Sequence, residues 1–230
     1  MSRGVFVTGT DTGVGKTVVA CALVHALRAR GYRVAPMKPV AAGAISREGV
    51  WANEDTLALA QAAGPDAPAH HAITPVLLRE AMAPHIAASR EGLRIDLAAL
   101  VEAHRQLALR ADFTVVEGVG GFRVPLGPSL DARDLASALQ LPVVLVVGLR
   151  LGCLNHALLT AESIERAGLA LAGWIANAID PAMRAQDENV DALAERLRAP
   201  LLGRLPFAPD HAPATRAGFL DVKPLVDTRG

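Results

Sequence analysis

The stretch Gly9-Thr10-Asp11-Thr12-Gly13-Val14-Gly15-Lys16-Thr17 decides how this chain is read. It follows a short β-rich run, Val5 to Thr8. It opens a segment, Lys16 to Arg30, whose apolar residues recur at helical spacing until Gly31. A glycine-rich turn between a strand and a helix is the context of a phosphate-binding loop. The glycines let the chain curl so that successive N–H groups face inward, and the helix N-terminus adds partial positive charge. Lys16 then reaches the β- and γ-phosphates of a nucleotide, and the Thr17 hydroxyl is suited to hold Mg²⁺. The strict pattern wants glycine at position 10; Thr10 stands there and Gly9 precedes it, so the loop is one residue longer. A chance glycine-rich turn is the competing reading, and Gly15-Lys16-Thr17 in this context argues against it.

Outward from that loop, strand and helix patterns alternate. Strands are expected at Arg33 to Met37, Phe113 to Val116, Val143 to Val147, Leu171 to Ala176 and Leu201 to Leu205. Helices are expected at Asn53 to Ala63, Asp96 to Ala111 with Asp96 as N-cap, Leu130 to Gln140, Asn155 to Ala167 and Ala182 to Leu197. Gly64 to Pro84 reads mainly as loop, Ala41 to Arg94 as the best candidate for an insert, and the tail as irregular. Continuous apolar strands separated by helices imply a parallel sheet covered on both faces. The expected fold class is α/β: a doubly wound, mostly parallel sheet of about six or seven strands, helices on both faces, of P-loop NTPase type. Residues 1–230 are expected to form one domain. Ligands of such sheets bind outside the carboxyl ends of the strands, so the residues just after each strand are the ones to inspect.

Composition narrows the function. Lys+Arg and Asp+Glu both total 23 in 230 residues, without the basic excess of a nucleic-acid or polybasic membrane binder. Aromatic residues are 3% against 51% hydrophobic, so the core must come from Ala, Leu, Val and Ile and no aromatic stripe is available to stack bases. Two cysteines, Cys21 and Cys153, cannot form a disulfide framework and read as reduced, buried thiols. The strongest apolar run, Leu141 to Leu149, is about half of the roughly 20 residues a spanning helix needs. With functional-looking sequence starting by Gly9, no signal peptide is expected, and the protein is expected to be soluble and cytoplasmic.

Three further features stand at strand or helix ends. Glu117 follows Phe113-Thr114-Val115-Val116, an apolar strand ending in a carboxylate, as in the element that helps hold the metal of phosphoryl-transfer enzymes. An ordinary solvated terminal Glu is the alternative. Glu117 leads into Gly118-Val119-Gly120-Gly121, a second loop whose backbone can approach phosphates or substrate. Lys38, in Lys38-Pro39-Val40, follows the second strand on the same rim; it is either a surface lysine or a second cation beside a triphosphate. Asp55, in the first turn of the Asn53 helix, is accounted for by helix capping from spacing alone. The histidines are scattered without zinc-ligand spacing.

Together these stretches resemble dethiobiotin synthetase, an ATP-dependent enzyme family of biotin biosynthesis. The resemblance covers most of the chain. It is carried by Phe6 to Thr12 with Val14 to Thr17, Lys38 to Val40, Asp55, Pro84-His85, Glu117-Gly118 with Gly120-Gly121, Leu151-Gly152-Cys153-Leu154-Asn155-His156, Gly173 to Asn177, and Pro200 to Gly203 with Pro206. The Thr8-Gly9-Thr10-Asp11-Thr12 opening and the Leu151 to His156 stretch are the most specific. The resemblance implies that Gly13, Val14, Gly15, Lys16, Thr17 and Val18 cradle ATP, with Gly118, Val119 and Gly120 nearby. Thr17, Asp55 and Glu117 would supply oxygens to Mg²⁺. Lys38 and Lys16 would be the catalytic cations, and Thr12 and Lys38 would touch substrate. Asn177 would read adenine, flanked by Leu205, Pro206 and Phe207. Gly152, Cys153, Leu154 and Asn155, preceding a helix, would bind the substrate carboxylate. That last site would belong to the neighbouring subunit, which implies a homodimer. The implied substrates are 7,8-diaminononanoate, CO₂ or bicarbonate, and ATP, with Mg²⁺ as cofactor and neither nucleic acid nor membrane as partner.

The chain departs from the family pattern at Ala42, where serine is frequent, at Gly13, acidic in some members, and at Val119, where alanine is common. Two alternatives compete. An amidating synthetase of the cobyrinic-acid type shares the ATP-binding architecture but usually carries a glutaminase domain, for which 230 residues leave no space. A partitioning or Min-type switch ATPase carries an additional Lys five residues before the loop lysine. Asp11 occupies that position, and Asp221 to Gly230 lacks the expected basic amphipathic pattern.

Overall fold

The computed structural model describes residues 3–47, 50–208 and 212–227. The first strand, β1 (Arg3–Gly9), feeds helix α1 (Lys16–Arg28), which returns the chain to β2 (Val34–Met37). Short elements follow: β3 (Val40–Ala42), β4 (Ile45–Arg47), β5 (Val50–Ala52), α2 (Glu54–Ala63), α3 (His70–Ile73), β6 (Val76–Leu78) and α4 (Pro84–Arg90). Regular alternation then resumes with α5 (Leu97–Ala108), β7 (Phe113–Gly121), α6 (Ala132–Leu139), β8 (Val143–Leu149), α7 (Cys153–Arg166), β9 (Leu171–Ala178), α8 (Gln186–Arg196) and β10 (Leu201–Leu205). Two short helices, α9 (Pro213–Ala217) and α10 (Lys223–Val226), close the described chain.

Six strands form one sheet in the order β10-β9-β8-β1-β7-β2, every pair parallel. The chain passes from β1 to the far edge at β2, returns between them as β7, and then builds the other half outward from β8. That reversal leaves a crevice beyond the carboxyl end of β1, where such sheets bind ligands. Register aligns the rim: Val7 pairs with Glu117, Met37 with Val116, Gly9 with Val146, and Gly148 with Asn177.

Alternating strand residues supply two apolar layers. Val5, Val7 and Val115 pack with Leu23, Leu27 and Leu59 on one face. Phe6, Met37 and Val116 pack with Leu100, Leu135 and Leu139 on the other. Beyond β1, Leu145 and Trp174 pack with residues of α7 and α8. Each fully buried large side chain contributes about 1.5–3 kcal/mol of transfer free energy, so the aliphatic layers account for the sheet's rigidity without many aromatics.

Several expectations are corrected. Gly64 to Pro84 is not mainly loop: it holds a 3-10 turn (Gly64–Asp66), α3 and β6, and β6 pairs parallel with β3. The Ala41 to Arg94 segment also forms the β4–β5 hairpin. Three-residue strands carry too few side chains to show a period. The region beyond Leu205 holds α9 and α10 rather than an irregular tail. β7 does not stop at Val116 but runs through Glu117 to Gly121, because β1 pairs alongside it up to Gly9. The helix expected from Ala182 begins at Gln186. The N-caps Asn53 and Asp96 are as expected, their side chains accepting the Asp55 and Ala98 amides at 3.0 and 2.9 Å. His211 lies outside the described residues.

Candidate active site

The loop after β1 wraps the start of α1 as its sequence requires. Gly13 and Gly15 have φ values of 74° and 88°, in the left-handed region that glycine enters without cost. At Gly15 a Cβ would also lie 2.2 Å from Asn177 Nδ2. Asn177 sits on the same rim, buried, and donates through Nδ2 to the Val14 carbonyl at 2.8 Å. Val14 is buried beneath the loop, against Gly9 and Gly148. Lys16 folds back over the loop, its Nζ donating to the Asp11 carbonyl at 2.8 Å. Burial, with Lys38 nearby, pulls its pKa down to about 8.

Around Thr17 the expected metal oxygens converge. Its Oγ1 lies 2.8 Å from Asp55 Oδ1 and 2.8 Å from Glu117 Oε1. One hydroxyl proton can serve only one of these carboxylates at a time. Lys38 completes the cluster: its Nζ is 2.6 Å from Glu117 Oε1, 3.0 Å from Asp55 Oδ2, and donates to the Gly118 carbonyl at 3.1 Å. Lys38 and Glu117 are both buried. Burial opposes the charge on Lys38, but Glu117 and Asp55 outweigh it and raise its pKa. Burial raises Asp55 as well, but Lys38 and the Thr17 hydroxyl more than reverse it, leaving its pKa lowered. For Glu117 burial wins and its pKa is raised. Lys38 is therefore no surface lysine, and Glu117 is no solvated strand end.

The donor set fits Mg²⁺. Two carboxylates and a hydroxyl are hard oxygen ligands, and Glu117 Oε2 is buried without a hydrogen-bond partner among the described residues. No group of three or more His, Cys, Asp or Glu side chains gathers among the described residues. The remaining ligands of a cation here would have to come from phosphate oxygens and water, as in nucleotide-dependent sites.

A cleft of about 710 Å³ opens over this cluster, and Thr12, Gly13, Gly15, Lys16, Thr17, Val18, Lys38, Asp55, Glu117, Val119 and Gly120 all line it. Ala42, Met82, Ala83, Pro84 and Val124 complete its wall. Other expected residues lie elsewhere. Gly118 does not line the cleft; it packs against Phe6, and its carbonyl holds Lys38. Leu205 is fully buried in the core, so its side chain is not available to flank a base. Pro206 and Phe207 line a separate shallow cleft of about 500 Å³ with Ala178, Arg204 and Phe219. Gly152 is the N-cap of α7, and Cys153, Leu154 and Asn155 form its first turn rather than preceding it. None of these four lines the 710 Å³ cleft of its own chain. Arg150, which sequence reasoning missed, pairs with Asp11 at the outer turn of the phosphate loop. Its position just after β8 is the signal that would have found it.

Over residues 3–215 the sequence matches the AAA domain family AAA_26. The chain belongs to this family. It is a P-loop NTPase, and the doubly wound parallel sheet is the fold expected of one. Among solved structures, it is similar to the septum site-determining protein MinD of Pyrococcus horikoshii OT3, complexed with Mg-ADP. The identity is 22%, the match covers 97% of this chain and 89% of that one, and the TM-score is 0.58. The cell division ATPase MinD of Pyrococcus furiosus is 21% identical over 97% of this chain and 91% of its own, with a TM-score of 0.59. The signal recognition particle receptor FtsY of Elizabethkingia anophelis, in complex with GDP, is 16% identical over 89% of this chain and 57% of its own, at 0.51. These likenesses bear out the expected fold. Among the described residues no helix is long and apolar enough to cross a membrane.

Proposed function

We propose that the chain is a dethiobiotin synthetase, closing the ureido ring of 7,8-diaminononanoate with CO₂ and ATP. The observation that carries this reading is Lys38, a buried ammonium at the end of β2, facing the cleft beside Lys16. A cleft with two lysines suits a reaction that moves negative charge among carbamate, phosphoryl group and leaving phosphate.

In this reading one substrate amine takes up CO₂ as a carbamate, losing a proton to solvent. A carbamate oxygen attacks the γ-phosphorus, the bond to the β-phosphate oxygen breaks, and ADP leaves. The second amine attacks the carbonyl carbon of the mixed anhydride, closes the five-membered urea and expels phosphate. Lys38 holds the carbamate oxygens, and Lys16 follows the transferred phosphoryl group. Thr12 and Val124 bound the substrate side of the cleft. Mg²⁺, held by Thr17, Asp55 and Glu117, would neutralise charge on the phosphates. Ring closure is intramolecular, so positioning supplies much of the rate without a dedicated general base. With Asn177 Nδ2 committed to Val14, its Oδ1 remains to accept from the adenine amino group. The first-turn amides of α7 suit the substrate carboxylate. Because they do not line their own chain's cleft, a second copy of the chain would supply them, and a homodimer in the cytoplasm is part of the proposal.

A second reading, a switch ATPase, has the MinD likeness over 97% of the chain in its favour. Against it stands Asp11, where those proteins carry a lysine. Phosphate release from MgATP separates the two. The synthetase reading expects release only with both diamine and bicarbonate present; release without the diamine would favour the switch.

A further inference from the structure

We propose that Arg150 is a positioning residue: through Asp11 it fixes the outer turn of the phosphate loop to the first turn of α7. Arg150 leaves the carboxyl end of β8 and does not line the 710 Å³ cleft. Its guanidinium pairs with Asp11 Oδ2, and its own carbonyl accepts the Cys153 amide at 3.0 Å, closing the start of α7. Asp11 is thereby held at three points. Its Oδ1 accepts the Thr12 amide at 2.7 Å, and its carbonyl accepts Lys16 Nζ at 2.8 Å. The Thr12 amide is the main influence lowering the Asp11 pKa; burial opposes it, and the Arg150 guanidinium lowers it further from the side of α7. One carboxylate thus joins the loop that grips phosphate to the helix end that offers amides to an anion.

Both side chains of the pair are partly exposed, 39% for Arg150 and 48% for Asp11. Half-exposed ion pairs contribute little to stability, so the pair can be removed without unfolding the protein. What it supplies is geometry: Thr12 and the Lys16 anchor keep one position relative to α7. The part concerning α7 rests on the synthetase reading; the part concerning the phosphate loop does not.

The test is a cycle of Arg150→Gln, Asp11→Asn and the double variant, with Arg150→Lys as the conservative control. MgADP affinity is read by calorimetry, and KM for ATP and for the diamine by phosphate release. Arg150→Gln should weaken MgADP roughly three- to tenfold, and the double variant should be no weaker than either single one, as expected of coupled residues. Arg150→Lys should recover most of the loss. KM for the diamine should rise in parallel, more than kcat falls. Unchanged MgADP affinity in Arg150→Gln, or fully additive losses in the double variant, would overturn the proposal. A wild type that shows no diamine-dependent turnover would end the synthetase reading and the α7 part with it, while the MgADP cycle still decides the loop part.

Discussion

Lys38 Nζ lies 2.6 Å from Glu117 Oε1; both residues are buried, Lys38 just past the end of β2 and Glu117 within the adjacent parallel strand β7. This pair lines the 710 Å³ cleft together with Lys16 and Thr17. On the proposed function it adds a second cation, beside Lys16, close to the carboxylates of Asp55 and Glu117.

Replacing Lys38 with alanine should therefore have three outcomes. Turnover should fall by roughly a hundredfold or more, since a donor aimed at developing charge is lost. Stability should fall by about 3–5 kcal/mol, since Glu117 is left buried without its partner. MgADP affinity should stay within a few-fold. Kinetics, thermal unfolding and calorimetry check the three separately, and near-normal turnover would remove Lys38 from the chemistry.

Glu117→Gln should preserve the fold, since the amide oxygen can still accept from Lys38. It removes one anionic ligand, so the Mg²⁺ concentration needed for half-maximal turnover should rise by about tenfold or more. An unchanged Mg²⁺ titration would take Glu117 out of the metal set.

The lysine of the phosphate loop gives a pH signature. In the free protein burial and Lys38 hold Lys16 at about 8, below its ordinary 10.5. Phosphate oxygens favour the charged form, so its pKa rises when nucleotide binds. Above pH 8 the free protein must then take up a proton on binding, and affinity should fall as pH rises further. Near pH 7 Lys16 is already mostly charged and uptake should be small. Calorimetry in buffers of different ionisation enthalpy measures the proton count; equal counts at pH 7 and pH 9 would contradict the assignment.

Gly15→Ala combines a left-handed φ of 88° with a Cβ 2.2 Å from Asn177 Nδ2. The backbone strain alone costs about 1–2 kcal/mol, and the Asn177 bond to the Val14 carbonyl must also give way. Nucleotide binding should be lost and the melting temperature lowered. A variant that binds MgADP normally would show that the loop can be rebuilt around a side chain.

Cys21 lies on the buried face of α1, and burial, with Glu117 and Asp55, pushes its thiol up to about 12. The thiolate is the reactive form. Cys21 should resist alkylation at pH 8 until denaturant is added, as mass spectrometry of labelled peptides would show. Rapid labelling of the native protein would mean that α1 opens readily.

What could be read from the sequence followed from local rules. The Gly15-Lys16-Thr17 turn, the N-caps Asn53 and Asp96, and the long apolar strands each announce themselves within a few residues. The rim rule also selected Lys38 and Glu117. It did not show that they touch, because their contact depends on β2 and β7 lying side by side after a return of 79 residues. Asp11 and Arg150 are 139 residues apart, and neither carries a local pattern that points to the other. The reach of β7 beyond Val116 was hidden for a related reason. A carboxylate and three glycines look like a strand's end until Lys38 compensates the charge and β1 supplies the pairing partner.

On the proposed function, this P-loop cleft joins CO₂ to a diamine. The most direct test incubates the protein with diaminononanoate, ¹³C-bicarbonate and MgATP and determines the product mass. The expected product has the mass of the diamine plus one labelled carbon dioxide minus one water, formed with one ADP per ring and only when all components are present. ATP hydrolysis that proceeds equally without the diamine, with no labelled product, would contradict the claim and leave a switch ATPase on the same fold.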